Sequence, residues 1–321
     1  MPTFCRHNRF LANCPICMRE QAPAAARTAR SRSAGGATAT RKRGARAGGT
    51  VRVRHVAREL DDGFRSRLVP GLKASGDAER LARELAFATA RLDALASDPP
   101  GLYAEVAAGA AAGEREEATW LAFLIAYLGP LEDDDPFAGV RTARVGWASG
   151  QLPALEEAQL GPRSVHEPGR GAATLAAYRA WAERAGSQAA AFEGEAAWTP
   201  ARRFGRLFER LALPGLGRDA RFDLLVTLGA LGVYELTADA LHFGGSEETT
   251  VAAKRVFGIG DTLLLERRAA DLAAACELPL AALDLGLWNW SRTVRDPRAT
   301  LGFAGEPDAD AEARVVGALG L

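Results

Sequence analysis

Hydrophobic residues recur with a helical period along most of the chain from residue 78 onward. Over residues 78–96, leucines and alanines fall on one face, and residues 114–128 begin with acidic residues and end in an apolar run. Both patterns predict amphipathic helices. The same period predicts further helices over residues 172–192, 247–256 and 262–276. Pro200 is well placed to open another helix, because proline is favoured in the first turn.

The segment of residues 130–171 is rich in proline and glycine, which predicts an irregular connection between two helical subdomains. Residues 51–56 alternate like a short strand or an extended segment. The rest of the pattern is helical, so we expect an all-α domain over residues 51–321. With 321 residues, 48% of them hydrophobic, the chain can build a sizeable core.

Residues 203–243 contain two helical patterns separated by a turn with two glycines. Pro214 ends the first helix, and Gly215 and Gly217 can adopt positive φ in a tight hairpin. The second pattern is apolar nearly all round, so we expect a buried helix that ends at the glycines of residues 244–245. In such a hairpin, glycines let backbone N–H groups approach an anion, and the second helix presents the positive end of its dipole. The candidate DNA contacts are therefore Leu213, Gly215, Gly217 and Arg218.

Three blocks of this sequence resemble a known family. Leu213-Pro214-Gly215-Leu216-Gly217 resembles the hairpin of helix-hairpin-helix DNA glycosylase-like proteins, and Ala230-Leu231-Gly232 followed by Asp239 resembles their active-site segment. Within that superfamily, residues 213–217, 253–261 and 283–290 together resemble the alpha-glutamyl/putrescinyl-thymine pyrophosphorylase proteins, clade 3. The match covers about a quarter of the chain. It implies a helix-hairpin-helix DNA glycosylase-like fold, and a helical domain with a simple glycine turn is the alternative.

The resemblance also implies a function, namely a DNA-binding enzyme that acts on a 5-substituted thymine. Such proteins are inferred to displace pyrophosphate from an activated 5-hydroxymethyluracil with an amine or an amino acid. Asp239 is then the candidate catalytic carboxylate, and Lys254 with Arg255 would hold the leaving pyrophosphate. The alternatives are a solvated or capping Asp239 and a solvated, cationic helix end. Asp261 could likewise act in the site or simply cap the helix that follows it.

Two other functions remain open. In a monofunctional DNA glycosylase, Asp239 would stabilise the positive charge that develops on the sugar of a flipped nucleotide. Asp219 stands where lyase-type members place a catalytic lysine, which argues against a Schiff-base mechanism. The span from Gly217 to Asp239 is slightly longer than is usual in the superfamily. The third possibility is a non-catalytic, zinc-containing DNA-binding protein.

A metal site is predicted near the N-terminus, in residues 1–19. Cys5 and His7 form one close pair and Cys14-x-x-Cys17 another, and this set of thiolates and imidazole suits tetrahedral Zn²⁺. We expect a structural zinc knuckle. A redox Cys-x-x-Cys and a disulfide are the alternatives, and a reducing cytoplasm disfavours the latter.

Residues 20–50 lack hydrophobic periodicity, so we expect a disordered basic linker whose Arg41-Lys42-Arg43 cluster contacts DNA weakly and non-specifically. Residues 1–55 contain twelve Arg or Lys and one acid, a charge of +11, which the remainder balances to a net charge of zero. This asymmetry suggests a polyanion partner, although solubilising charge is an alternative.

No apolar run approaches the ~18 residues that span a bilayer, and no signal peptide is evident, so we expect a cytoplasmic protein without a membrane partner. The sequence does not indicate an oligomeric state.

Overall fold

The computed structural model describes residues 60–292, 296 and 298–321. All regular secondary structure within these ranges is helical, in agreement with the all-α class. The chain divides into two compact units, Met1–Val53 and Arg54–Leu321, and the described residues belong to the second. The possible strand at residues 51–56 lies outside them. Within the described ranges, no helix combines the length and the apolar character needed to cross a membrane.

Twelve α-helices are found in the described residues. They are α1 Ser75–Ser97, α2 Leu102–Ala111, α3 Arg115–Leu128, α4 Ala138–Ala143, α5 Gly171–Arg184, α6 Gln188–Glu193, α7 Pro200–Arg210, α8 Arg218–Ala230, α9 Glu248–Phe257, α10 Thr262–Ala275, α11 Ala282–Trp290 and α12 Ala309–Leu319. A short 3₁₀ turn, Trp147–Ser149, lies between α4 and α5.

Helix α3 lies at the centre of the fold, with every residue from 118 to 128 buried. It packs against α2 and α8, while α1 packs against α11 and α12. The rings of Phe123 and Tyr178 stack with centroids 3.8 Å apart, which joins α3 to α5. Burying each such large side chain contributes about 1.5–3 kcal/mol. The main hydrophobic cluster thus runs through helices on both sides of residues 130–171, and a second, smaller cluster around Phe87 and Trp288 joins α1 to α11.

Several helix ends follow local signals in the sequence. The Thr199 hydroxyl accepts a hydrogen bond from the N–H of Arg202, so α7 begins at Pro200 as predicted. The carboxylate of Asp261 accepts from Leu264 N at 3.0 Å, which confirms the capping interpretation of this residue. At the end of α10, Cys276 is buried, as its apolar neighbours suggest.

The structure differs from the predicted pattern in four places. Residues 172–192 form two helices, because Gly186 takes a φ of +95° and Ser187 caps the start of α6. Helix α8 ends at Ala230 and not at residues 244–245, since Gly232 turns the chain with a φ of +68°. Helix α2, rich in alanine, was not predicted, and the short helix α4 lies within residues 130–171, which were predicted to be irregular.

Candidate functional site

The predicted hairpin forms the turn between α7 and α8. Pro214 and Gly215 are exposed, while the side chain of Leu216 is buried beneath them. Gly215 has the expected positive φ of +77°. Gly217 has a φ of −62°, so its backbone conformation does not require glycine. No side chain caps the start of α8. The bend at Pro214 and Gly215 therefore lies at the surface, while Arg218 and Ala220 in the first turn of α8 are buried.

One side of this hairpin rests on the protein. A Cβ atom on Gly215 would overlap the hydroxyl of Thr174 in α5, and one on Gly217 would lie 3.2 Å from Cγ1 of Val165. Glycine is thus required at residue 215 by its conformation and by this close approach. The exposed side of the hairpin is the side left for a ligand.

Arg218, the first residue of α8, was predicted to contact DNA, but its side chain is buried. Its Nη1 donates to Oδ1 of Asp219 at 3.0 Å and to the carboxylate of Asp284, and its Nη2 donates to the carbonyl of Leu241. Only 3% of the side chain is exposed. These groups hold the guanidinium inside the protein, so it is not available to a phosphate at the hairpin.

A buried network of charges continues from Arg218 into the core. Arg163 donates from Nε and Nη2 to the two carboxylate oxygens of Asp223, at 2.9 and 3.2 Å, and from Nη2 to Asp284 at 2.8 Å. Asp284 is therefore shared by both arginines. Burial alone would lower the pKa of Arg163, but the nearby carboxylates raise it. Burial raises the pKa of the Asp223 carboxyl, whereas Arg163 and Arg218 outweigh burial and lower the pKa of Asp219.

The loop after α8 is held from two sides. The Glu266 carboxylate on α10 accepts from Leu241 N at 2.7 Å and from Phe243 N at 2.6 Å, while Arg218 holds the Leu241 carbonyl. Burial raises the pKa of Glu266. Between these anchors, His242 has a φ of +53°, which is uncommon for a residue other than glycine. Such strain persists only where the surroundings fix it, and it often marks functional sites.

Asp239 and His242 lie side by side on this loop. The imidazole stacks on Phe208 of α7 with ring centroids 4.1 Å apart, and its Nε2 is 4.0 Å from Oδ1 of Asp239. That nitrogen is buried and has no hydrogen-bond partner among the described residues. The Asp239 side chain is 46% exposed and lies against Gly205, whose missing side chain leaves room for it. The candidate carboxylate is thus accessible beside an unpaired imidazole nitrogen.

The cationic pair predicted to assist Asp239 lies elsewhere. The guanidinium of Arg255 stacks 4.8 Å from the centroid of Trp290 and borders a cavity of about 220 Å³ that Lys73 and Asp77 also line. Asp239 is not among the residues that line this cavity. Lys254 is partly buried at the neighbouring position of α9. The structure therefore does not bring the three predicted catalytic residues together in that cavity.

A larger groove borders the segment that leads to Asp239. It has a volume of about 700 Å³ and is lined by Tyr234, Leu236 and Thr237, with the ion pair of Arg115 and Glu193 beside them. Its polar groups are largely engaged: the Tyr234 hydroxyl, for example, is 2.8 Å from that of Thr119. The groove is large enough for a nucleotide-sized group, and no pattern in the sequence indicated it.

The remaining predicted site residues lie outside the described ranges. They are the zinc ligands Cys5, His7, Cys14 and Cys17 and the basic cluster Arg41, Lys42 and Arg43. Among the residues that the structure describes, no group of three or more His, Cys, Asp or Glu side chains could hold a metal ion.

The burial of His242 predicts a pH dependence of stability. Burial has the largest effect and lowers the pKa of the imidazole. The carboxylates of Asp239 and Glu209 raise this pKa, while the nearby cations of Arg218 and Arg221 lower it further. Below the unfolded value of about 6.5, the unfolded chain binds the proton more readily, so the free energy of unfolding falls as pH falls. Asparagine tolerates positive φ but does not titrate, so a His242→Asn variant should lose less stability as the pH falls below about 6.5. Urea unfolding at several pH values tests this, and equal slopes in the two proteins would contradict it.

Comparison of the chain with protein-family models, with curated proteins and with solved structures found no match. The resemblance to the pyrophosphorylase proteins therefore rests on the three sequence blocks.

Proposed function

We propose that this protein is a DNA-binding enzyme that acts on a 5-substituted thymine base, with Asp239 at the reacting centre. The position of Arg218 carries this proposal. Arg218 directly follows the exposed hairpin, and its guanidinium holds the carbonyl of Leu241, two residues after Asp239. A DNA strand bound at the hairpin would thus contact the start of α8. Through Arg218, this helix is hydrogen-bonded to the loop that carries Asp239.

The DNA contact proposed at the hairpin uses the backbone. Leu213, Gly215 and Gly217 bracket the exposed bend, and the first amides of α8 have no side-chain cap. Backbone N–H groups at a helix start favour phosphate, and contacts of this kind position nucleic acid without reading its sequence. The residues 41–43 cluster would add affinity that depends strongly on salt.

The proposed chemistry is substitution at the 5-substituent of thymine. A bond forms between the nitrogen of an amine and the exocyclic carbon while the bond from that carbon to pyrophosphate breaks. Asp239, accessible and beside His242, would accept the proton of the amine. A role of Lys254 and Arg255 in holding pyrophosphate remains part of the proposal, although their position does not support a cavity shared with Asp239.

A monofunctional DNA glycosylase is the second candidate. It is favoured by the absence of Asp239 from the cavity that Arg255 lines. Asp239 lies beside His242 and is not among the residues that line the cavity bordered by Arg255, so its carboxylate can stabilise a sugar cation without a site for pyrophosphate. Asp219 is engaged with Arg218 and offers no amine for a Schiff base.

We also propose a structural Zn²⁺ bound by the four ligands in residues 1–19, membership of the clade 3 pyrophosphorylase proteins, and a location in the cytoplasm. None of the four zinc ligands has a role in the proposed chemistry. The bonds from these ligands to bound Zn²⁺ would stabilise the N-terminal segment in the way that a hydrophobic core stabilises a larger domain.

The function is tested by incubating the protein with DNA that contains thymine, 5-hydroxymethyluracil or its pyrophosphorylated form, with and without amines, and analysing nucleosides by mass. A new nucleoside supports the transferase, and release of a free base supports the glycosylase. Asp239→Asn should reduce either product about 100-fold or more and leave DNA affinity unchanged. If no product forms and Asp239→Asn binds normally, the protein is a binding module.

Zinc content of the same preparations should fall from one equivalent to none with Cys14→Ser and Cys17→Ser.

A further inference from the structure

The outward side of α7 carries a row of arginines. Arg202, Arg206 and Arg210 follow one another at intervals of four residues, and all three are exposed. Four residues are slightly more than one helical turn, so the three side chains lie within about 80° of one another around the helix axis and extend over about 12 Å along it. These three residues form what we call the arginine face.

Two of the three arginines have no acidic partner. Within the described part of the chain, no ion pair or side-chain hydrogen bond involves Arg202 or Arg210. The guanidinium of Arg210 lies 4.8 Å from the ring centroid of Trp198, which orients the side chain without neutralising its charge. Arg206 donates from Nη1 to Oε2 of Glu209 at 3.1 Å, with both side chains more than half exposed. Exposed pairs of this kind are weak, so a phosphate can replace the carboxylate.

The charge of the arginine face contrasts with that of the surrounding chain. Residues 1–55 carry a charge of +11 and the whole chain is neutral, so residues 56–321 carry −11. Three arginines and one neighbouring glutamate give the face a net charge of +2. Positive charge concentrated on an otherwise acidic body attracts an anionic partner, and guanidinium groups bind phosphate oxygens in pairs.

The arginine face borders the candidate site. Gly205 precedes Arg206 in α7, and a Cβ atom on this glycine would lie 3.7 Å from Oδ1 of Asp239. At the other end of the row, Arg210 comes four residues before Pro214 in the exposed bend of the hairpin. The face therefore has the candidate reacting carboxylate at one edge, and the chain runs from its last arginine directly into the hairpin.

We propose that the arginine face binds the sugar-phosphate backbone of DNA, a step that rests on the proposed function and adds to it the residues that position the strand beside Asp239. Over 12 Å, one strand of duplex DNA carries roughly three to four phosphates, which matches three guanidinium groups. Apart from Pro200 at its first position, α7 exposes no apolar residue. Interfaces between proteins have an apolar centre, so this composition favours a nucleic-acid backbone over an acidic protein.

The affinity of the full chain for a fluorescein-labelled DNA duplex tests the proposal, measured by anisotropy between about 50 and 300 mM salt. Arg202→Ala should weaken binding about fivefold or more and reduce the slope of log affinity against log salt by about one. Arg202→Ala combined with Arg206→Ala should reduce this slope by about two. Alanine favours the helix, so circular dichroism should be unchanged. Arg184→Ala is the matched control, because Arg184 is also exposed on a helix and has no ion pair within the described residues.

A glutamate variant should have the opposite effect. Glu209→Gln releases Arg206 and removes a negative charge from the edge of the face, so it should strengthen DNA binding by about twofold or more. Glu183→Gln, at an exposed glutamate of α5, is its control and should bind as the wild type does. Damage to the fold would not produce a gain in affinity.

Three results would overturn the arginine face. They are wild-type affinity of the double arginine variant, a loss no greater than that of Arg184→Ala, and a Glu209→Gln variant that binds no more tightly. Tighter binding of polyglutamate than of DNA would also overturn it and assign the face to an acidic protein.

Nucleoside analysis of the same reactions separates this proposal from the proposed function. Product formation by a double variant with wild-type affinity would retain the function without the face. The expected salt dependence without any product would retain the face on a protein that only binds DNA.

Discussion

An Asp284→Ala variant is expected to lose about 3–5 kcal/mol of unfolding free energy. Asp284 is 1% exposed, and its carboxylate is shared by the guanidinium groups of Arg163 and Arg218. Without it, Arg163 retains Asp223 and Arg218 retains only Asp219, so part of the buried positive charge loses its counter-charge. Breaking one side of a buried ion network is costly because the remaining charge cannot regain its hydration. Urea unfolding followed by circular dichroism measures the loss.

An exposed ion pair provides the control for this experiment. Arg170 and Glu167 lie 2.9 Å apart at the surface, with side chains that are 73% and 60% exposed. Removing such a pair should change the unfolding free energy by less than about 1 kcal/mol, because water replaces the partner. Equal losses in Asp284→Ala and Glu167→Ala would show that burial of the network does not determine its contribution.

A Gly71→Ala variant is expected to be destabilised by about 3 kcal/mol or more. A Cβ at this position would overlap the carbonyl oxygen of Arg255 and lie 2.7 Å from Gly258 N. Gly71 N also donates to Val256 O at 2.9 Å, so the backbone before α1 is hydrogen-bonded to the end of α9 where the added Cβ would clash. Since the obstructing atoms are backbone atoms, no change of rotamer relieves the overlap. The segment before α1 must move away from the end of α9.

Gly260→Ala is the matched control, two residues beyond Gly258. A Cβ on Gly260 meets nothing within 4 Å, and the residue does not need positive φ. The substitution should change stability by no more than about 1 kcal/mol, and it can stabilise by restricting the unfolded chain. Wild-type stability of Gly71→Ala would mean that the close approach at α9 is not required by the fold.

Most of the fold could be predicted from local patterns. The period of apolar residues indicated α1, α3 and the burial of α8, and Pro200 and Asp261 marked helix starts through hydrogen-bonding rules that act within four residues. The hairpin was indicated for the same reason, since proline and glycine restrict the backbone locally. Helix α2 was missed because its alanines give little contrast between faces.

The candidate site depended on contacts between distant residues, which a local pattern does not contain. Arg218 was predicted to contact DNA because it directly follows the hairpin, but Asp284, 66 residues later in the chain, holds it in the core. Arg163 and Asp284 are 121 residues apart. The buried charges of Asp223 and Asp284 interrupt apolar helices, and that interruption was the available signal. The placement of Asp239 beside His242 required the loop anchored by Glu266, which the predicted longer helix had excluded.

The burial of Cys276 has a practical consequence for thiol chemistry. Burial raises the pKa of this thiol to about 11, so at neutral pH it carries its proton and is covered by the core. Alkylating reagents react with the thiolate, and therefore with Cys276 only after the helical core has opened. The rate at which Cys276 is labelled, followed separately from Cys5, Cys14 and Cys17 by mass analysis of peptides, would report how often that core unfolds.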